Sequence, residues 1–160
     1  MSEKDDLLNM WDRELQTTLK VLRAYPAHRE NFKPHEKSKT AKELVLTFVG
    51  EQMIADGALA GKISFEPSGN MPENIKDAIA VLEKTCKEVM DKVKKTSEEE
   101  LNKTVKFPIG PQKMGDFRKI DVLWTTVMDM IHHRGQFSVY LRLADAKVPS
   151  IYGPSADEPW

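Results

Sequence analysis

Between residues 75 and 93, Ile75, Ile79, Leu82, Cys86, Val89 and Val93 recur at alternating steps of four and three. That spacing is the seam of a helix packed nearly parallel to a neighbour, so the chain has to supply facing helices. Leu8, Trp11, Leu15, Leu19 and Leu22 supply one, ending near Tyr25-Pro26. A second starts at "TAKE", where Thr40 stands three residues before Glu43 in the reciprocal capping pattern. Its stripe is Leu44, Val45, Phe48, Val49 and Met53, and the glycines of "DGALAGK" end it. The segment "ISFEPSGNMPEN" carries Pro67, Gly69 and Pro72 and reads as a loop, with Pro72 in the first turn of the third helix. A fourth helix is predicted from about Phe117 to Ala144, after which "KVPSIYGPSADEPW" forbids continuation with three prolines. Between helices three and four, "TSEEEL" reads as one short capped turn. "NKTVKFPIGPQKMGD", with two prolines and two glycines, reads as a long crossover loop with a little extended structure. No strand pair is predicted. The expectation is an all-α fold: a four-helix bundle with long crossover loops, residues 1–160 forming one domain.

Composition narrows the function classes. Lys and Arg total 24 against 25 Asp and Glu, a formal charge of -1 that offers no attraction to nucleic acid. The N-terminus "MSEKDDLLNMWDREL" lacks a basic region followed by an apolar core, and no stretch approaches the roughly 18 apolar residues of a membrane span. A cytoplasmic protein is expected, with no membrane partner. The single cysteine, Cys86, forms no intramolecular disulfide and suits a reducing compartment.

The fourth helix has two distinct faces. Ile120, Leu123, Trp124, Val127, Met130 and Ile131 gather on one side, flanked by Met128, Phe137 and Val139. Asp129, His133, Gln136 and Tyr140 form a stripe on the other. A polar stripe on a largely buried helix needs partners. Asp129 and His133 are four residues apart, so both side chains can ligate one ion, and an oxygen beside an imidazole nitrogen suits zinc, iron, manganese or nickel. A third ligand has to come from another helix. His132 points about 100 degrees away from His133, and His28 and His35 lie in a loop.

The runs "HHRGQFSVYLRL" and "VPSIYGPSAD" resemble the last helix and tail of the DinB-like family, damage-inducible four-helix bundles that include metal-dependent enzymes. "KPHEKSKTAKELVLTFVGEQ" resembles the start of that family's second helix, and "VKFPIGPQKM" sits where the family crosses over. The resemblance implies a metal held by three histidines, one on helix two and two in an HxxxHRGQ arrangement. Here His133 matches, Asp129 replaces the second histidine, and Thr47 occupies the helix-two position, with Glu51 one turn on as a substitute oxygen ligand. Gln136 and Tyr140 are the implied pocket residues. The resemblance further implies a homodimer, a role in stress response, and a small-molecule partner such as a low-molecular-weight thiol, bacillithiol or mycothiol. Two functions stand side by side: a bundle with an altered metal site that binds a small molecule, and a metal-dependent thiol S-transferase or hydrolase using Asp129 and His133.

Other residues have simpler readings. Cys86 in a helical seam reads as a small buried thiol, and "SEEEL" as a solvated helix start complementing the dipole. Arg134 and Arg142 project from the apolar side of the last helix, where a charge needs an exit to water or a partner, which a dimer contact can supply.

Overall fold

A computed structural model describes residues 2–65 and 71–159. The described residues are mostly helical, with five α-helices, one 3-10 turn at Ala27–Arg29 and one two-stranded sheet. Helix α1 spans Glu3–Arg23 and opens with a capping box between Ser2 and Asp5. Its buried face is Leu7, Trp11, Leu15, Leu19 and Leu22, so Leu7 rather than Leu8 leads the stripe, while Leu8 packs against the core half-covered. Helix α2, Ala41–Ala60, starts at the expected Thr40–Glu43 box and ends on Gly61, whose φ of 81° is a left-handed stop that a side chain adopts reluctantly. Helix α3, Ile75–Lys95, is capped by the side chain of Asn74, so Pro72 lies before the helix and outside its first turn. Pro67 and Gly69 fall within 66–70, outside the described residues. Helix α4 is one turn, Glu98–Leu101, capped by Ser97.

The crossover is where expectation and structure part. Strands β1 (Thr104–Gly110) and β2 (Lys113–Arg118) pair antiparallel, from Thr104 against Arg118 to Gly110 against Lys113, with an irregularity between Pro108 and Gly110. The fold is therefore not all-α. Prolines in "KFPIGP" argue against a central strand, but each strand here pairs along one side only, and a sheet edge tolerates a missing N–H. Thr104, Val105, Phe107 and Phe117 favour extended backbone. Phe107 and Phe117 meet edge to face at 5.6 Å, and Val105 packs into a small cluster with Ala58 and Val122. Helix α5, Lys119–Leu143, starts two residues later than predicted because Phe117 and Arg118 close the hairpin.

Helices α1 and α2 each pack against both α3 and α5, closing a ring of four long helices around one core. Leu82 and Cys86 are fully buried there, and burial pushes the Cys86 thiol up to about 12, which removes it as a nucleophile at neutral pH. Among the described residues no helix is long and apolar enough to cross a membrane.

On α5, Phe137 is buried as expected, but Met128 and Val139 are 60% and 54% exposed. The same turns turn Arg134 inward. It is 1% exposed and pairs with the wholly buried Glu14 of α1 at 2.7 Å, while Arg142 pairs with Asp157 of the C-terminal tail at 2.7 Å. Both arginines find their partners within the chain, so neither requires a second copy to explain it.

Candidate metal centre

The contact of α2 with α5 brings Glu51 against the Asp129–His133 pair. His133 Nε2 stands 3.4 Å from Glu51 Oε1 and 3.6 Å from Asp129 Oδ1. One ligand atom from each residue lies within 4.8 Å of the other two, and no other group of three or more such ligand residues occurs among the described residues. The i,i+4 spacing stacks Asp129 under His133 on one helix, and the third group comes from the facing one.

Glu51 is 5% exposed, and among the described residues neither of its carboxylate oxygens has a hydrogen-bond partner. Burial first and the charge of Asp129 second push its carboxyl up to about 9, with Lys39 pulling the other way. Without a cation the group is held as the neutral acid at neutral pH. Buried oxygens of this kind are rarely left bare.

His133 is oriented from behind. Its Nδ1 meets Gln136 Oε1 at 3.1 Å, and its ring stands edge to face on Phe48 at 5.9 Å. With Nδ1–H donating to Gln136, Nε2 presents its lone pair toward the two carboxylates, the kind of support that fixes the tautomer of a metal-binding imidazole. Asp129 is half-exposed and lines an open cleft of about 510 Å³ together with Glu51, Thr47 and Lys39.

The remaining sequence candidates have clear places. Thr47 lies one turn before Glu51 on the cleft, its hydroxyl donating to the Glu43 carbonyl at 3.0 Å and accepting from Lys39 Nζ at 2.5 Å. Tyr140 is 2% exposed, stacks on Phe137 and donates to the Lys39 carbonyl at 2.8 Å. It anchors the loop from which Lys39 reaches the cleft. His132 is exposed and outside the triad. In "SEEEL", Glu100 binds Lys103 and Lys119, which hold its carboxyl down at about 2. Sequence reasoning missed Lys39, Phe65 and Met71, which also line the cleft. For Lys39 a signal existed, since residues 43, 47 and 51 follow each other at four-residue steps along one ridge of α2 and Lys39 stands just before its Thr40 cap, near the start of that ridge.

The tail motif has a structural role. Tyr152 donates to Glu14 Oε2 at 2.6 Å and accepts from Arg134 Nη2 at 2.5 Å. The Arg of "HRGQ" and the Tyr of "YGPS" thus clasp the same buried carboxylate.

Comparison with known proteins agrees with this architecture. A DinB-like protein of Bacillus cereus superposes with a TM-score of 0.75 at 19% identity, over 92% of this chain and 97% of that one. A DinB-like protein of Bacillus subtilis gives 0.74 at 17% identity over 91% and 97%. An uncharacterised protein of Clostridium difficile gives 0.68 at 12% identity over 89% and 98%. At these identities the likeness is one of fold. No curated protein matches the chain. The family model of the DinB family matches residues 1–159, and the chain belongs to that family.

Proposed function

We infer that Glu51, Asp129 and His133 hold one divalent transition-metal ion, and that the cleft beside them receives a small molecule for metal-assisted hydrolysis or group transfer. The observation that carries this reading is the buried Glu51 carboxyl, bare at both oxygens and 3.4 Å from an imidazole nitrogen. The donor set fits an ion: two oxygens and one nitrogen suit manganese, iron, nickel or zinc, and three protein ligands are the number a catalytic site uses while keeping positions open. A bound ion would supply Lewis acidity and lower the pKa of a water or thiol brought to it. The chain's own residues do the rest. Gln136 orients His133, Phe48 packs against the imidazole, and Glu51 would have to be deprotonated to serve as a ligand.

The thiol S-transferase or hydrolase activity implied by the family, with a low-molecular-weight thiol as co-substrate, is the enzymatic form of this reading. A helical bundle that binds a small molecule without turning it over is the second form, favoured by the single imidazole in the donor set. Elemental analysis of protein purified without a histidine tag tests the common premise: about one ion per chain is expected, and metal-free protein after growth in metal-supplemented medium would contradict it.

A further inference from the structure

Resting on that reading of the cleft, we propose that the molecule it receives is a small carboxylate with an apolar tail, anchored by Lys39, whose ammonium the Thr47 hydroxyl holds in place. Lys39 is the one cation lining the cleft among the described residues. Its ammonium is held by the Thr47 hydroxyl, its backbone carbonyl is tied to buried Tyr140, and among the described residues no carboxylate lies within ion-pair distance of it. A cation held over a cleft, hydrogen-bonded to a neutral hydroxyl and with Glu43 and Glu51 acting on it only at longer range, is matched by an anion that accepts from its remaining N–H donors.

The other walls set the rest of the ligand. Leu46, Met53, Ile54, Phe65 and Met71 give the cleft an apolar lining, and Phe65 is 54% exposed, a large ring left partly bare at its rim. Of the three carboxylates on the cleft among the described residues, Glu43, Glu51 and Asp129, none forms an ion pair with Lys39. Glu43 is engaged at 2.6 Å with the Thr40 amide in the capping box, and Asp129 faces His133. Head group and tail therefore find separate partners, and the site discriminates by charge at one end and by length at the other.

The test is a titration of chelator-treated protein near neutral pH with sodium hexanoate, sodium octanoate, octanol and octylammonium chloride. Binding is followed by NMR of carbon-13-labelled methionine methyls, with Met53 and Met71 assigned by Met53→Leu and Met71→Leu. Octanoate is expected to shift both methyls and to bind about tenfold more tightly than octanol, the worth of a hydrogen-bonded charge. Each added methylene from hexanoate onward is expected to gain about fourfold. Lys39→Gln is expected to erase the preference for octanoate over octanol without changing the octanol affinity, and Lys39→Glu to reverse it in favour of octylammonium. Equal affinities for the three octyl compounds, or an octanoate preference that survives Lys39→Gln, would overturn the proposal. Because the protein is metal-free, the two readings fail separately: selective octanoate binding in a protein that takes no ion sinks the metal site alone, and ion binding without octanoate selectivity sinks this proposal alone.

Discussion

Arg134 and Glu14 form an ion pair at 2.7 Å with side chains 1% and 0% exposed, joining α5 to α1 through the middle of the fold. Such a pair is costly to break, since removing one partner strands the other charge. Arg134→Ala is expected to cost about 3–5 kcal/mol in urea unfolding. Tyr152→Phe, which removes one hydroxyl from the same cluster, should cost about 1–2 kcal/mol. A loss below about 1 kcal/mol for Arg134→Ala would mean that Glu14 finds another partner.

Stability should fall as pH rises from 6 to 8, an unusual direction that Glu51 sets. Its folded carboxyl sits near 9 while the unfolded one titrates at the ordinary value of 4.5, so the native state holds a proton that the unfolded state has released. Across that window each pH unit costs about 1.4 kcal/mol, or about 2–3 kcal/mol over the two units. Thermal melts of chelator-treated protein should show the decline, and Glu51→Gln should flatten it and raise the melting temperature at pH 8. Glu14 works at the other end of the scale: burial alone raises it, yet hydrogen bonds from Tyr152 and Arg134 outweigh burial and hold it below the usual range, so its contribution is lost only on acidification.

Leu82 lies fully buried in the α3 seam, and Leu82→Ala should cost about 2–5 kcal/mol through lost burial and the cavity left behind. Lys84, exposed and 3.9 Å from Glu88, should tolerate alanine within about 0.5 kcal/mol. Equal losses in chemical denaturation would place the helix face wrongly.

The hairpin turn offers a gain. Gln112 has φ of 57°, a left-handed conformation that strains a residue with a Cβ. Gln112→Gly is expected to stabilise by up to about 1 kcal/mol, and a destabilised variant would show that the Gln side chain contributes a contact outweighing the strain.

These particulars show what was legible in the residues alone. The α3 seam and the Thr40–Glu43 cap mark their helices unaided because both signals are local. The hairpin escaped because breaker residues carry the same letters in a loop and at a sheet edge, and only the pairing of Val105 with Phe117 tells them apart. On α5 apolar residues occur nearly all round, so periodicity did not say that Met128 and Val139 face out and Arg134 faces in. Arg134's partners lie 120 and 18 residues away, at Glu14 and Tyr152. Asp129 and His133 were visible as a pair from their spacing, but the bare oxygens of Glu51 are a property of packing.

Titration calorimetry with manganese and zinc on untagged, chelator-treated protein tests the central claim most directly. The account predicts one ion per chain, binding weakened by about tenfold or more in Glu51→Gln, Asp129→Asn and His133→Ala, and binding retained in His132→Ala, whose ring lies outside the triad. No ion binding by the wild type, or a loss in His132→Ala equal to that in His133→Ala, would contradict it.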